Sequence, residues 1–112
     1  MSRLAFAVEP APRFDISDAA RFGTIQYVWD TGCQQPPLWL NAWVEAALAR
    51  MGESGFNAER DYVIVSGPVA PTVLIVAEIV ARYECINLLF FDAKAREYIH
   101  KTILKDSRHA TA

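Results

Sequence analysis

Two periodicities alternate along the chain. Leu4, Phe6 and Val8 alternate with Arg3, Ala5 and Ala7, the two-residue repeat of a strand. Pro10 and Pro12 end it. Residues 14–23 read as a short helical turn, with Asp15 or Ser17 to cap its start and Gly23 to stop it. Residues 24–29 are β-branched and aromatic and predict a second strand. Beyond a loop over 30–36, Pro37 suits the first position of a helix, where its missing N–H costs nothing. Leu40, Trp43, Val44, Ala47, Leu48 and Met51 carry that helix forward at three-and-four spacing, and Gly52 is its natural stop.

Residues 61–66 form a continuous apolar run, the pattern of a central strand covered on both faces. Gly67 and Pro68 break it, and Pro71-Thr72 open a second helix that reaches about Tyr83. Residues 85–91 predict another buried strand. A turn over 92–96 leads to 97–103, which alternates as a half-exposed antiparallel strand does. The middle of this order contains two crossovers, and right-handed ones place the strands at 24–29, 61–66 and 85–91 parallel in one sheet. The expected fold is a small three-layer, Rossmann-like α/β domain: a mixed sheet of about five strands with a parallel centre, a C-terminal antiparallel hairpin and two main helices. Residues 1–104 are expected to form this one domain, and 105–112 a polar tail. The pattern leaves the first strand's neighbours and the edge order open.

Composition narrows the classes. The chain has 112 residues, 53% of them hydrophobic, enough for a core of its own and too apolar for a disordered chain. Eleven basic residues against thirteen acidic ones give a formal charge of −2, with no basic run of the kind a nucleic-acid binder presents. Nucleic acid is therefore not the expected partner. No leader peptide and no transmembrane stretch are read, so the expected setting is cytoplasmic, with no membrane partner. Arg outnumbers Lys eight to three and Ala is abundant, which points to a GC-rich bacterial genome or a mobile element. Cys33 and Cys85 are far apart, and His100 and His109 have no partners at ligand spacing, so neither a metal nor another cofactor is expected.

Candidate chemistry gathers at the predicted strand ends. The loop from Ser66 to Thr72 lies at the carboxyl end of a central strand and leads into a helix N-terminus, where open α/β sheets bind ligands. Ser66 and Thr72 carry hydroxyls and Gly67 permits close backbone approach, so a small anionic ligand is one candidate. Two prolines remove donors that a phosphate cradle needs, and a plain strand-to-helix turn has the same composition. Trp29, Asp30 and Asp92 belong to neighbouring strand ends and are expected to flank the same place, the two carboxylates as an acid–base pair or as turn-forming residues. No nucleophile motif assigns an enzymatic activity.

The helix at 71–83 has only Thr72, Glu78 and Arg82 as polar members, and the preceding helix carries apolar residues beyond its core face. A small domain has few places to hide such helices, and large apolar patches mark interfaces. The leading expectation is a binding protein without a catalytic site, self-associating as a dimer and meeting another protein through Trp39, Trp43, Ile75, Val76 and Ile79. The alternative is a small nucleotide- or phosphate-binding protein, or one that cleaves nucleotides, using Ser66, Gly67 and Thr72. A third outcome is that both helices are covered within one subunit, with 14–22 lying over one of them.

Overall fold

A computed structural model describes residues 2–11, 13 and 15–105. The expected tail, including His109, lies outside them apart from Lys105. Five strands form one sheet in the order β2-β1-β3-β4-β5. The elements are β1 (Leu4–Ala7), a 3-10 helix (Ser17–Arg21), β2 (Thr24–Tyr27), α1 (Asn41–Glu53), β3 (Tyr62–Val65), α2 (Val69–Tyr83), β4 (Cys85–Asp92) and β5 (Glu97–Leu104). β1 pairs in parallel with both β2 and β3, β3 pairs in parallel with β4, and β5 returns antiparallel on β4. The small α/β fold with a parallel centre and a terminal antiparallel pair is the one the sequence predicts, and β1 now has a place between β2 and β3.

Handedness decides which face each connection covers. The β2–α1–β3 and β3–α2–β4 crossovers run the same way across the sheet, so both helices lie on one face. They pack on Phe6, Val8, Val28, Trp29, Val63, Ile86 and Leu88. The β1–β2 connection runs the opposite way and brings the 3-10 helix to the other face. There Ala19, with Ile16 and Phe22, covers Ala5, Ala7, Tyr62, Ile64, Leu89 and Tyr98. The segment 14–22 was one candidate cover for an apolar helix; its described residues lie on the opposite side of the sheet from both. The third layer is thus a single short helix. Gly23 follows it because the chain passes so close to β1 that a Cβ there would sit 2.7 Å from the Arg3 carbonyl oxygen.

The helix ends differ from the simple pattern. α1 begins at Asn41, four residues after Pro37. Leu40 donates its N–H to the Pro37 carbonyl (3.0 Å), closing a turn, and its extended backbone (ψ 142°) makes it the cap. Leu38 and Trp39 therefore precede the helix. Gly52 does not stop α1. The stop is Gly55, with φ +91°, where Phe56 N–H reaches the Met51 carbonyl and Gly55 N–H that of Gly52, each at 3.0 Å. Those are the two bonds of a Schellman ending, which needs a left-handed residue. α2 starts at Val69, so Pro71 is its third residue, still among positions whose N–H has no intrahelical acceptor.

One buried carboxylate joins the two central parallel strands. β1 and β3 share only two registered pairs, Ala5 with Tyr62 and Phe6 with Val63. Just before β3, Asp61 extends the join. Its Oδ1 accepts the Leu4 N–H (2.9 Å), and its Oδ2 accepts the Asn57 N–H (2.8 Å). Arg60 donates to both oxygens, through Nε at 2.9 Å and Nη2 at 3.1 Å. Burial pushes this carboxyl's pKa up, but the Arg60 contacts and the two backbone N–H groups outweigh it and hold the group below its ordinary value. Asn87 on β4 fixes the same end of the sheet. Its amide donates to the carbonyls of Ala58, Glu59 and Asp61, and its oxygen accepts from the Thr102 hydroxyl at 2.7 Å.

Candidate functional site

The opposite end of the sheet is open. Where β3 and β4 finish and α2 begins, a cleft of about 590 Å³ lies between Val65, Pro68, Val69, Val73, Phe91 and Tyr98. A size of this order suits an aromatic side chain or a small ligand. Ser66, Gly67 and Thr72 line it as well, with Arg13 and Asp15 from the loop after β1. The strand-end loop singled out in the sequence is thus part of a real concavity. Gly67 has φ +71°, a left-handed turn that lets the backbone leave β3 and enter α2 directly.

Two polar side chains of the cleft, Thr72 and Asp15, are engaged within the chain. The Thr72 hydroxyl donates to the Pro68 carbonyl at 3.1 Å, so its proton serves the helix and not a ligand. Pro71 contributes no N–H, which leaves Val69 and Ala70 as the first-turn donors with no intrahelical acceptor. Asp15 accepts both the hydroxyl and the N–H of Ser17 through Oδ1, at 2.6 and 2.9 Å. Those two bonds, the hydroxyl's first, hold its carboxyl below the ordinary range. Tyr98 is raised by burial and further by the nearby Asp15 and Asp18, so at neutral pH its phenol keeps its proton and is no base. The arrangement offers an apolar wall with a charged rim from Arg13 and Asp15.

The other expected flanking residues are not brought here. Trp29 is buried beneath α1, 6.0 Å from the ring of Trp43 and under the Arg50 guanidinium at 5.2 Å. Its indole N–H has no hydrogen-bond partner among the described residues. Asp30 is exposed after β2, with its carbonyl accepting the Cys33 N–H. Asp92 accepts the N–H groups of Lys94 and Ala95 at 3.0 and 3.3 Å and so forms the hairpin turn. The pairing of Asp30 with Asp92 across a site is not found: neither lines the cleft.

The interface residues also divide. Trp43, Ile75 and Ile79 are buried in the chain's own core and have no surface to offer a partner. The Trp43 indole N–H even has an internal acceptor, Gln35 Oε1 at 3.0 Å. Val76 is half-buried against the same core. Trp39 is 84% exposed, a large apolar surface standing in water. It borders a shallow hollow of about 290 Å³ with Leu38, Leu40, Val44 and Leu74. The outward face of α2 is carried by Val69, Val73 and Leu74, which sequence reasoning did not single out. Val69 and Val73 wall the cleft and Leu74 the hollow, so α2 is a ridge between two apolar depressions.

Cys85 is half-buried, and burial, with Glu59 nearby, raises its thiol pKa, the opposite of what a nucleophilic thiolate needs. Among the described residues no group of three or more His, Cys, Asp or Glu side chains comes together to hold a metal ion. None of the described helices is long and apolar enough to cross a membrane. No curated protein and no solved structure matches the chain. Residues 5–104 match the family described as Phage Pam3 gp32-like protein, covering every strand but the first residue of β1 together with the whole cleft, and the chain, a small protein of phage or mobile-element type, belongs to that family.

Proposed function

We propose that this phage-type protein works by binding protein, without a catalytic step, and that it associates with copies of itself through the ridge of α2. In this reading Trp39 of one copy enters the strand-end cleft of another. The observation that carries it is the pairing, on one small chain, of a tryptophan 84% exposed with an apolar cleft of about 590 Å³. An indole left in water is costly. Burying one removes roughly 150–250 Å² of surface, and apolar area is worth about 25 cal/mol per Å². Trp is also enriched among residues that dominate interface energies. The internal use of the Thr72 hydroxyl and the backbone donors that Pro68 and Pro71 lack weigh against a phosphate-handling site.

A double-mutant cycle tests it. Trp39→Ser removes the knob, and Val73→Glu places a charge in the wall of the cleft at a position 55% exposed, where the fold tolerates it. In sedimentation equilibrium each variant weakens association by about tenfold or more, and the double variant is no weaker than the worse single one, because both changes remove one contact. Unchanged association in Trp39→Ser, or fully additive losses, contradicts the contact.

A further inference from the structure

Among the described residues, the outer edge of β5 is free of a neighbouring strand. The Lys105 N–H donates to the Glu84 carbonyl at 2.9 Å, which sets the phase of the β4–β5 ladder. In an antiparallel pair, residues alternate between bonding the neighbour and pointing away from it. Counting back from Lys105, residues 103, 101, 99 and 97 bond β4, while the backbone N–H and C=O groups of Leu104, Thr102, His100 and Tyr98 point outward. Tyr98 confirms the phase. Its N–H donates to Asp18 Oδ2 at 2.7 Å, and its carbonyl accepts from Arg21 Nη2 at 2.7 Å. The 3-10 helix thus reaches across the sheet face and clasps the outer edge of β5 at one residue.

The clasp stops there. Among the described residues β5 pairs with β4 alone, and the outward groups of His100, Thr102 and Leu104 face an edge eight residues long. The opposite edge strand, β2, has four. Long, open edges with apolar side chains are templates for another strand, and proteins ordinarily blunt them. Here Ile99, Ile103 and Leu104 are exposed, and Phe90 beside Ile99 is partly so.

We infer that β5 pairs antiparallel with β5 of a second copy, with Thr102 on the two-fold axis, so that the two sheets become one of ten strands. The outward backbone groups are self-complementary about one residue, and they and the charges of the edge favour this register between two copies. The free outward residues, 100, 102 and 104, are centred on Thr102, so a two-fold there pairs all three with their equivalents and uses none of the groups clasped at Tyr98. The two neighbouring registers that keep side chains on matching faces fail on charge. A dyad at residue 101 sets Lys101 opposite its own copy, and one at 103 sets Lys101 opposite Lys105. Like charges directly opposite are destabilising. The Thr102 dyad instead sets Lys101 opposite Ile103, His100 opposite Leu104, and Thr102 opposite itself. This contact rests on the reading that the chain self-associates, and it is separate from the α2 ridge.

Residue-resolved hydrogen exchange on the unaltered protein tests it. The pairing slows the amides of His100, Thr102 and Leu104 by about 100-fold or more relative to free-chain rates, together with Tyr98, which its Asp18 bond protects in any case. A Trp39→Ser variant keeps that protection, because the edge does not use the ridge. Thr102→Cys, treated with a mild disulfide-forming oxidant, gives a 102–102 cross-link between copies, since paired Cα atoms stand about 5.5 Å apart, within disulfide reach. Should loss of the Thr102 bond to Asn87 unfold that variant, the exchange data decide alone. Fast exchange at 100, 102 and 104 in an assembled protein overturns the β5 pairing and leaves the ridge contact standing. Protection in a species that stays monomeric overturns it too, for then the chain's own last residues cover the edge. A monomer with a fast-exchanging edge removes both.

Discussion

Replacing Asp61 with alanine is the most severe single test of how this sheet is held. The side chain is fully buried and receives four donated hydrogen bonds, two from the N–H groups of Leu4 and Asn57 and two from Arg60. Alanine leaves both backbone donors without an acceptor and Arg60 without its counter-charge. Breaking a buried charged pair by removing one member costs about 3–5 kcal/mol. Two stranded N–H groups at roughly 1–3 kcal/mol each are consistent with that range. In a domain of this size a loss of that order lowers Tm by roughly 10–20 °C. The assay is urea unfolding followed by circular dichroism, with Asp61→Asn as an isosteric control that keeps one acceptor and turns a donor toward the donors.

The pH dependence gives the second half of the test. The carboxyl is held below its ordinary value in the folded protein. Its contribution is therefore complete above the unfolded-chain pKa, about 3.9, and is lost as pH falls through the folded value. The stability gap between the unaltered protein and Asp61→Asn should be constant from neutral pH to about 5 and shrink in more acid solution. A loss under about 1 kcal/mol in Asp61→Ala, or a gap that does not change with acid, would refute the role given to this residue.

Two further predictions follow from local geometry. Gly23→Ala should destabilise by about 1–3 kcal/mol, because the new methyl meets the Arg3 carbonyl at 2.7 Å beside the Thr24 N–H bond to that same oxygen; an unchanged melting curve would show that β1 gives way freely. Among the four tyrosines, Tyr98 should ionise late in an alkaline absorbance titration, since burial and then Asp15 and Asp18 raise it. Its raised value means stability is lost as pH climbs above about 10, and Tyr98→Phe should remove both the late component and that loss.

The elements were legible in the sequence where the repeat was strong. The alternation of 3–8, the apolar run before Ser66 and the hairpin at 92–96 each became the element their pattern implies. The orientation of α2 was not legible, because a helix with three polar residues gives little angular information. Its polar members even mislead: Thr72 is buried with its hydroxyl on Pro68, while Arg82 pairs with Glu78 and with Glu45 of α1. So Ile75 and Ile79 read as surface and are core, and Val73 and Leu74 are the outward pair. In the cleft, Ser66, Gly67 and Thr72 were readable as a strand end. Arg13, Asp15, Phe91 and Tyr98 were not, since their arrival depends on where β1 and β5 sit in the sheet. Asp61 reads simply as the first residue of a strand; nothing in the string tells that a loop and a neighbouring strand will both donate to it.

The mass of the protein in solution tests the proposed assembly of copies most directly. Light scattering coupled to size-exclusion chromatography, run over a range of loading concentrations, should give a species of more than twice the 12.5 kDa chain mass, falling toward twice that mass in the Trp39→Ser variant. A mass of 12.5 kDa at every concentration would contradict it.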